Sequence, residues 1–253
     1  MSAPVGWRER LSWGLEALPA LSLDRSRTAL LVVDMQNYSA NPDSNRGRLA
    51  RKLNPDLADA YYAHVRETVI PNQLRLIEWW RQSGLRVIYL TAGALLPDGS
   101  DLSARRLRRD AARIAAQGDT EHMHPQTYDY QILDELRPRP GELVIPKNSI
   151  GAFNSSPIDQ ILRNMGITGL VIVGVITEGC VETTARDAAD RGYDCILVED
   201  GCASDLGRET HEATLLSFAR MFGEVRSTRE VLERFGARPS EAQAKVAVPA
   251  AGG

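Results

Sequence analysis

A chain of 253 residues with 33 acidic against 30 basic side chains, net charge −3, offers no basic excess for a phosphate backbone, which argues against non-specific nucleic-acid binding. Its apolar runs fall short of the ~20 residues of a membrane span, and the opening MSAPVGWRERLSWGLEALPALSLD lacks the unbroken apolar core of a signal peptide. Three cysteines without paired spacing suit a reducing, cytoplasmic compartment, and the length suits one α/β domain with a substantial core.

The first apolar run, Thr28 to Val33 in TALLVVDMQNYSA, is rich in β-branched residues and does not alternate. That is the pattern of a strand buried on both faces of a parallel sheet. Strands are expected at Ala29–Asp34, Arg86–Thr91, Leu143–Pro146, Gly169–Val173, Asp194–Val198 and near Gly223–Val225. Between the first two, Ala58–Gln82 carries Val65, Val69, Leu74, Ile77 and Trp80 at near-helical spacing and reads as a core-facing helix. Ser156–Met165 reads as a helix opened by polar residues and Pro157. Glu182–Arg191 and Arg208–Phe222 are the remaining long helices. Strands alternating with helices predict an α/β fold, a parallel sheet covered on both faces. Residues 1–236 are read as one domain. Within it, residues 1–25 are an extension whose Trp7, Trp13, Leu15 and Leu18 are too apolar to stay bare. Ala237–Gly253, rich in Ala, Pro and Gly, reads as a mobile tail. Neither G-x-G-x-x-G nor G-x-x-x-x-G-K-[ST] occurs, so no dinucleotide or P-loop site is expected.

Three strand ends carry complementary chemistry. Asp34 ends the first strand, Lys147 lies just past Leu143–Pro146, and Cys180 opens the helical segment after Val171–Val175. Open α/β folds place their ligands at this edge of the sheet. Singly, each residue has a plainer role: a turn aspartate, a solvated lysine, a small buried cysteine. Together they supply a nucleophile, a carboxylate to take its proton and pass it to a departing amine, and an ammonium that keeps the carboxylate ionised. The helix N-terminus at Cys180 is expected to favour thiolate over thiol. The turn Val175–Cys180 offers backbone N–H groups to a developing oxyanion, and Gly179 leaves room beside the sulfur. Glu178 reads as a charge that complements the helix dipole and points away from the sulfur. Cys195 reads as core, and Cys202 is left open between the site and the core.

These residues resemble a cysteine hydrolase of the isochorismatase-like superfamily, which includes nicotinamidases and N-carbamoylsarcosine, ureidoacrylate and biuret amidohydrolases. The resemblance runs from about Thr28 to about Glu230 through four ordered blocks: LLVVDMQ, IPK, GVITEGCVETTARDAADRGY and VEDGCAS. It implies a three-layer α/β/α sandwich with a six-stranded, mainly parallel sheet. It further implies Cys180 as nucleophile, Asp34 as general base and acid, and Lys147 as third catalytic residue. A non-proline cis peptide at Val175–Ile176, turning the N–H of Ile176 toward the oxyanion beside that of Cys180, is also implied, as is a homo-oligomer, dimer or tetramer.

Departures from the family narrow the expectation. The ether-cleaving isochorismatases lack this cysteine, so Cys180 favours hydrolysis of a C–N bond. The metal site of nicotinamidases follows the second strand, where this chain reads YLTAGALLPDGSDLSARRL without histidine. No metal and no cofactor are therefore expected, and no zinc-ligand spacing occurs elsewhere. The segment GAFNSSPID resembles a stretch of carbamoyl-group hydrolases. A small amide or ureido compound is the expected substrate, losing ammonia as its acyl part forms a thioester that water then hydrolyses. An ether hydrolase with an incidental Cys180, or a binding protein retaining the fold, are the alternatives. Gln36, Asn37, Tyr38, Phe153, Asn154 and Thr177 follow the strand ends and are expected to touch substrate. The loop after Thr91 and the segment EHMHPQTYDY, with His122 and His124, are candidate lid elements.

Overall fold

The computed structural model describes residues 6–11, 20–117 and 122–236. Trp13, Leu15, Leu18 and the expected tail 237–253 lie outside the described residues. Strands β1 (Thr28–Val33), β2 (Val87–Ala92), β3 (Leu143–Lys147), β4 (Gly169–Val175), β5 (Asp194–Ala203) and β6 (Glu224–Arg226) form one sheet ordered β3-β2-β1-β4-β5-β6. Every pairing is parallel. Pro146 lies in β3, which is an edge strand, where a missing N–H costs least.

Helices α1 (Trp7–Leu11), α2 (Asn37–Ala40), α3 (Asn45–Leu53), α4 (Pro55–His64), α5 (Ile70–Gln82), α6 (Ala104–Gln117), α7 (Ile158–Asn164), α8 (Glu182–Asp190), α9 (Arg208–Met221) and α10 (Thr228–Gly236) complete the described chain. Successive strand residues point to opposite faces, and this divides the core in two. Ala29, Leu31 and Val33 of β1 pack with residues of α1, α7, α8 and α9. Leu30 and Val32 pack with residues of α4, α5 and α10. All six residues of β1 are buried, as its unbroken apolar run requires. The result is a three-layer sandwich. Among the described residues, no helix is long and apolar enough to cross a membrane.

The stretch expected as one helix from Ala58 to Gln82 divides into α4, a wide turn Val65–Val69 and α5. The N–H of Ile70 reaches back to the carbonyl of Val65. Pro71 accounts for this: it has no N–H, and its ring crowds the preceding turn, which a wider turn relieves. Leu74, expected in the core, is 38% exposed; Gln73 and Leu76 face inward instead. The Gln73 Nε2 donates to the Gly201 carbonyl at 2.8 Å. Helices α3, α6 and α10 escaped the sequence reading. The charged run ARRLRRDAARIAAQ of α6 hides its apolar stripe, yet Asp110 within it is buried and paired with Arg106 at 2.7 Å and Arg113 at 3.2 Å.

Candidate active site

Asp34 follows β1 in the left-handed region at φ 52. That conformation costs a non-glycine residue about 1–3 kcal/mol, although Asp tolerates it better than most. Its N–H is held by the Leu90 carbonyl of β2 at 3.0 Å. Lys147, the last residue of β3, donates from Nζ to Asp34 Oδ2 at 2.8 Å and to the Ser149 carbonyl at 3.3 Å. The two side chains are 0% and 3% exposed. Asp34 Oδ1 is buried without a hydrogen-bond partner. Cys180 is half-buried and close enough to feel both groups. Thus β1, β3 and β4 deliver Asp34, Lys147 and Cys180 to one place.

The electrostatics correct one expectation. Burial first, and the Asp34 carboxylate next, push the Cys180 thiol up to about 12 against the pull of Lys147. The resting sulfur therefore keeps its proton: the helix N-terminus does not offset a buried site beside a carboxylate. Burial disfavours the Lys147 ammonium, but Asp34 and then Cys180 outweigh it, and the net shift is upward. The lysine stays charged.

The turn that carries Cys180 begins at Gly174, where φ is +136. A Cβ there would stand 2.1 Å from the Val33 carbonyl oxygen, so only glycine lets β4 run this close to β1. The register between β4 and β5 shifts at the same point. The Val175–Ile176 peptide bond is cis. The Ile176 carbonyl then accepts from the N–H of Gly179 at 3.0 Å and of Val181 at 3.3 Å, which closes the turn Thr177–Val181 around Cys180. At Gly179 a Cβ would meet only Ile176, at 3.9 Å, so the space beside the sulfur is open.

His211 of α9 and Ser204, the residue after β5, tie this turn down, and α8 is joined to α9 behind it. Thr177 Oγ1 bonds His211 Nδ1 at 2.9 Å, Ser204 donates to Glu178 Oε1 at 3.0 Å, and Arg186 of α8 donates to Ser217 Oγ at 2.8 Å. Glu178 thus faces the end of β5, and burial raises its carboxyl. A cavity of about 720 Å³ lies beside these ties, lined by Trp7, Tyr61, His64, Ser204 and His211 but not by Asp34, Lys147 or Cys180.

Most residues expected to touch substrate are committed elsewhere. Gln36 is buried, and its amide is a strut: Nε2 donates to the carbonyls of Ala92 at 3.1 Å and Tyr130 at 2.7 Å, while Oε1 accepts from the Ala92 N–H at 2.8 Å. Asn37 is buried, donates to the Tyr128 carbonyl at 3.0 Å and accepts from Asn41 at 3.2 Å. Phe153 packs into the core, near the Tyr193 ring and under Arg191. Asn154 is exposed and bonds Asp187 at 3.2 Å. Thr177 is fully buried. Tyr38 keeps a partly exposed ring between Arg46 and Arg113, with its hydroxyl accepting from Arg113 at 2.6 Å. His124 bonds Gln126 at 2.5 Å, and the His122 ring lies against Gly99. Cys195 and Cys202 are both buried in β5.

The sequence reading did not single out Tyr130 or His211. Tyr130 is buried, its hydroxyl shares a 2.9 Å hydrogen bond with Thr91 Oγ1, and it feels both Asp34 and Lys147. Its only signal was its place in the loop EHMHPQTYDY. His211 had none, being separated from Thr177 by 34 residues. Among the described residues, no group of three or more His, Cys, Asp or Glu is placed to hold a metal ion.

Solved structures share this arrangement of elements. A cysteine hydrolase from Pseudomonas syringae pv. phaseolicola superposes with a TM-score of 0.70 at 23% identity, covering 87% of this chain and 99% of its own. An isochorismatase-like hydrolase from Alkaliphilus metalliredigens gives 0.63 at 23% identity, covering 84% and 99%. An N-carbamoylsarcosine amidase from Thermoplasma acidophilum gives 0.57 at 28% identity, covering 80% and 96%. The isochorismatase domain family model matches residues 28–230, which contain Asp34, Lys147, Cys180 and the whole sheet. The chain therefore belongs to the isochorismatase domain family, and it is a hydrolase.

Proposed function

We propose that the protein is a cysteine-dependent amidohydrolase that cleaves a C–N bond of a small amide or ureido compound. The observation that carries this reading is the convergence of Asp34, Lys147 and Cys180, with a protonated thiol beside a carboxylate that has one oxygen unpartnered. In the proposed cycle, Asp34 takes the Cys180 proton as the sulfur attacks the substrate carbonyl. The carbonyl oxygen becomes an oxyanion that the backbone N–H groups of Ile176 and Cys180 receive. Collapse breaks the C–N bond, and the amine leaves with the proton from Asp34. Water then gives a proton to the same carboxylate and its oxygen to the thioester. Breaking the C–S bond releases the acid, and the proton returns to the sulfur. Lys147 holds the Asp34 carboxylate in place through its 2.8 Å bond to Oδ2 across both halves. A ureido substrate would yield a carbamate, which loses carbon dioxide. The likeness to a protein named an N-carbamoylsarcosine amidase inclines the substrate toward the carbamoyl group.

The test is ammonia release from nicotinamide, maleamate, N-carbamoylsarcosine, ureidoacrylate analogues and biuret, with pyruvate release from isochorismate followed in parallel. Ammonia from one compound is expected, lowered at least about a thousandfold in Cys180→Ala. Pyruvate release that Cys180→Ala leaves intact would replace this reading with ether hydrolysis.

A further inference from the structure

The catalytic set accounts for the chemistry at the sulfur but not for what holds the turn Thr177–Val181 in register. That turn joins β4 to α8 and carries both the nucleophile and the N–H groups proposed for the oxyanion. Backbone bonds to the Ile176 carbonyl close it internally. What anchors it to the rest of the molecule is a different matter. Thr177 is fully buried, so its hydroxyl has no solvent partner, and its recorded bond is to His211 Nδ1 at 2.9 Å. His211 lies in the first turns of α9, whose own placement is fixed by packing against α1, β5 and β6.

The ring also senses the Glu199 backbone carbonyl of β5. A neutral imidazole has one N–H and one acceptor nitrogen, so Nδ1 can share a hydrogen bond with the threonine hydroxyl in either tautomer. The bond links α9 to the nucleophile turn. Burial, with His64 nearby, holds its pKa down to about 4, so it remains in this neutral form at ordinary pH.

We infer that His211 is a positioning residue that, through Thr177, sets the alignment of the Cys180 turn. It touches neither the sulfur, Asp34 nor Lys147 in any recorded contact, and it acts through the threonine. The inference concerns the site proposed above and rests on that reading for its turnover readout, but not for its thiol readout.

The experiment compares Thr177→Val, which keeps the shape and removes the hydroxyl, with Thr177→Ser, which restores it. His211→Leu and His211→Asn form the matching pair, since the Asn amide can bond the threonine hydroxyl near the position of Nδ1 in either direction. Two quantities are read: the rate of Cys180 alkylation by iodoacetamide, located by peptide mass spectrometry, and kcat and KM on whichever compound releases ammonia. Thr177→Val is expected to lower kcat between about tenfold and a hundredfold, the range for a displaced reacting group, with KM nearly unchanged and slower alkylation. Thr177→Ser and His211→Asn should recover most of the loss. Thr177→Val combined with His211→Leu should lose no more than either alone. If His211→Leu fails to fold, the threonine pair still decides. Alkylation and kcat at wild-type levels in folded Thr177→Val would overturn the inference, as would losses in the double variant that simply multiply. Slowed alkylation in Thr177→Val with no ammonia from wild type on any compound would uphold the brace while sinking the amidohydrolase reading.

Discussion

Asp34 is bonded to Lys147 and lies within electrostatic reach of Cys180, and so it bears on two properties at once. Its carboxylate is the second largest cause, after burial, of the high pKa of Cys180. Asp34→Asn should therefore lower the thiol pKa below about 12, because the repelling charge is gone while Lys147 still attracts the thiolate. The pH dependence of alkylation measures this. On the mechanism proposed above, in which Asp34 carries the proton, turnover should nevertheless fall at least about a hundredfold. A more acidic thiol in a slower enzyme would separate the role of Asp34 as base from any role in ionising the resting sulfur; an unchanged thiol pKa would show that burial alone sets it. These three residues were legible in the sequence because each lies at or just past the end of an apolar run, and strand ends in a parallel sheet share an edge. The residues beside them were not. Gln36 and Thr177 sit as close in sequence to Asp34 and Cys180 as a pocket residue would, but side-chain direction depends on partners such as Ala92, Tyr130 and His211. Those partners come from other parts of the chain.

At the scale of elements, β4 is where the backbone is most constrained. Gly174→Ala would place a methyl group 2.1 Å from the Val33 carbonyl oxygen at a φ of +136. The conformation alone costs an L-residue about 1–3 kcal/mol, and the clash adds to it, because β1 lies in the middle of the sheet and cannot retreat. Chemical denaturation should show a loss larger than that conformational cost, with Cys180 alkylation altered in the fraction that folds. A variant as stable as wild type would mean that β4 can move away from β1. The strands themselves were readable from their unbroken apolar, β-branched runs. The wide turn at Val65–Val69 was not, because hydrophobic spacing tolerates an extra residue per turn and only Pro71 hints at it. Helix α6 was missed for the opposite reason: its run of arginines masks the apolar spacing, while Arg106 and Arg113 are drawn inward by the buried Asp110.

At the scale of the whole molecule, a buried neutral histidine ties stability to acid. The ring of His211 faces His64 of α4, Arg208 and Glu212 of its own helix, and the Glu199 carbonyl of β5. Its pKa falls from the ordinary 6.5 to about 4 on folding, chiefly through burial. Below pH 6.5 the unfolded chain takes up a proton that the native chain refuses until about pH 4. This contribution is therefore fully present above 6.5 and is lost as the pH falls through that window. His64, also lowered by burial, acts with the same sign. Urea denaturation between pH 7 and pH 4 should show wild type losing more stability than His211→Asn; equal slopes would mean that the ring is protonated in the native state.

The strand order also bears on the length of the three side chains that meet at this edge. Cys180 follows β4 and Asp34 follows β1, which are adjacent, so short side chains suffice there. Lys147 ends β3, and β2 stands between it and β1. Neighbouring strands are about 4.8 Å apart, so the cation must cover a lateral gap of roughly 9.6 Å less the reach of an aspartate. It does so past the end of β2, where Ala92 and Gly93 carry little or no side chain. A histidine at position 147 would hold a similar charge when protonated but would stop short of the carboxylate. The choice of lysine is thus a matter of reach as much as of charge, and it is written in the order of the strands.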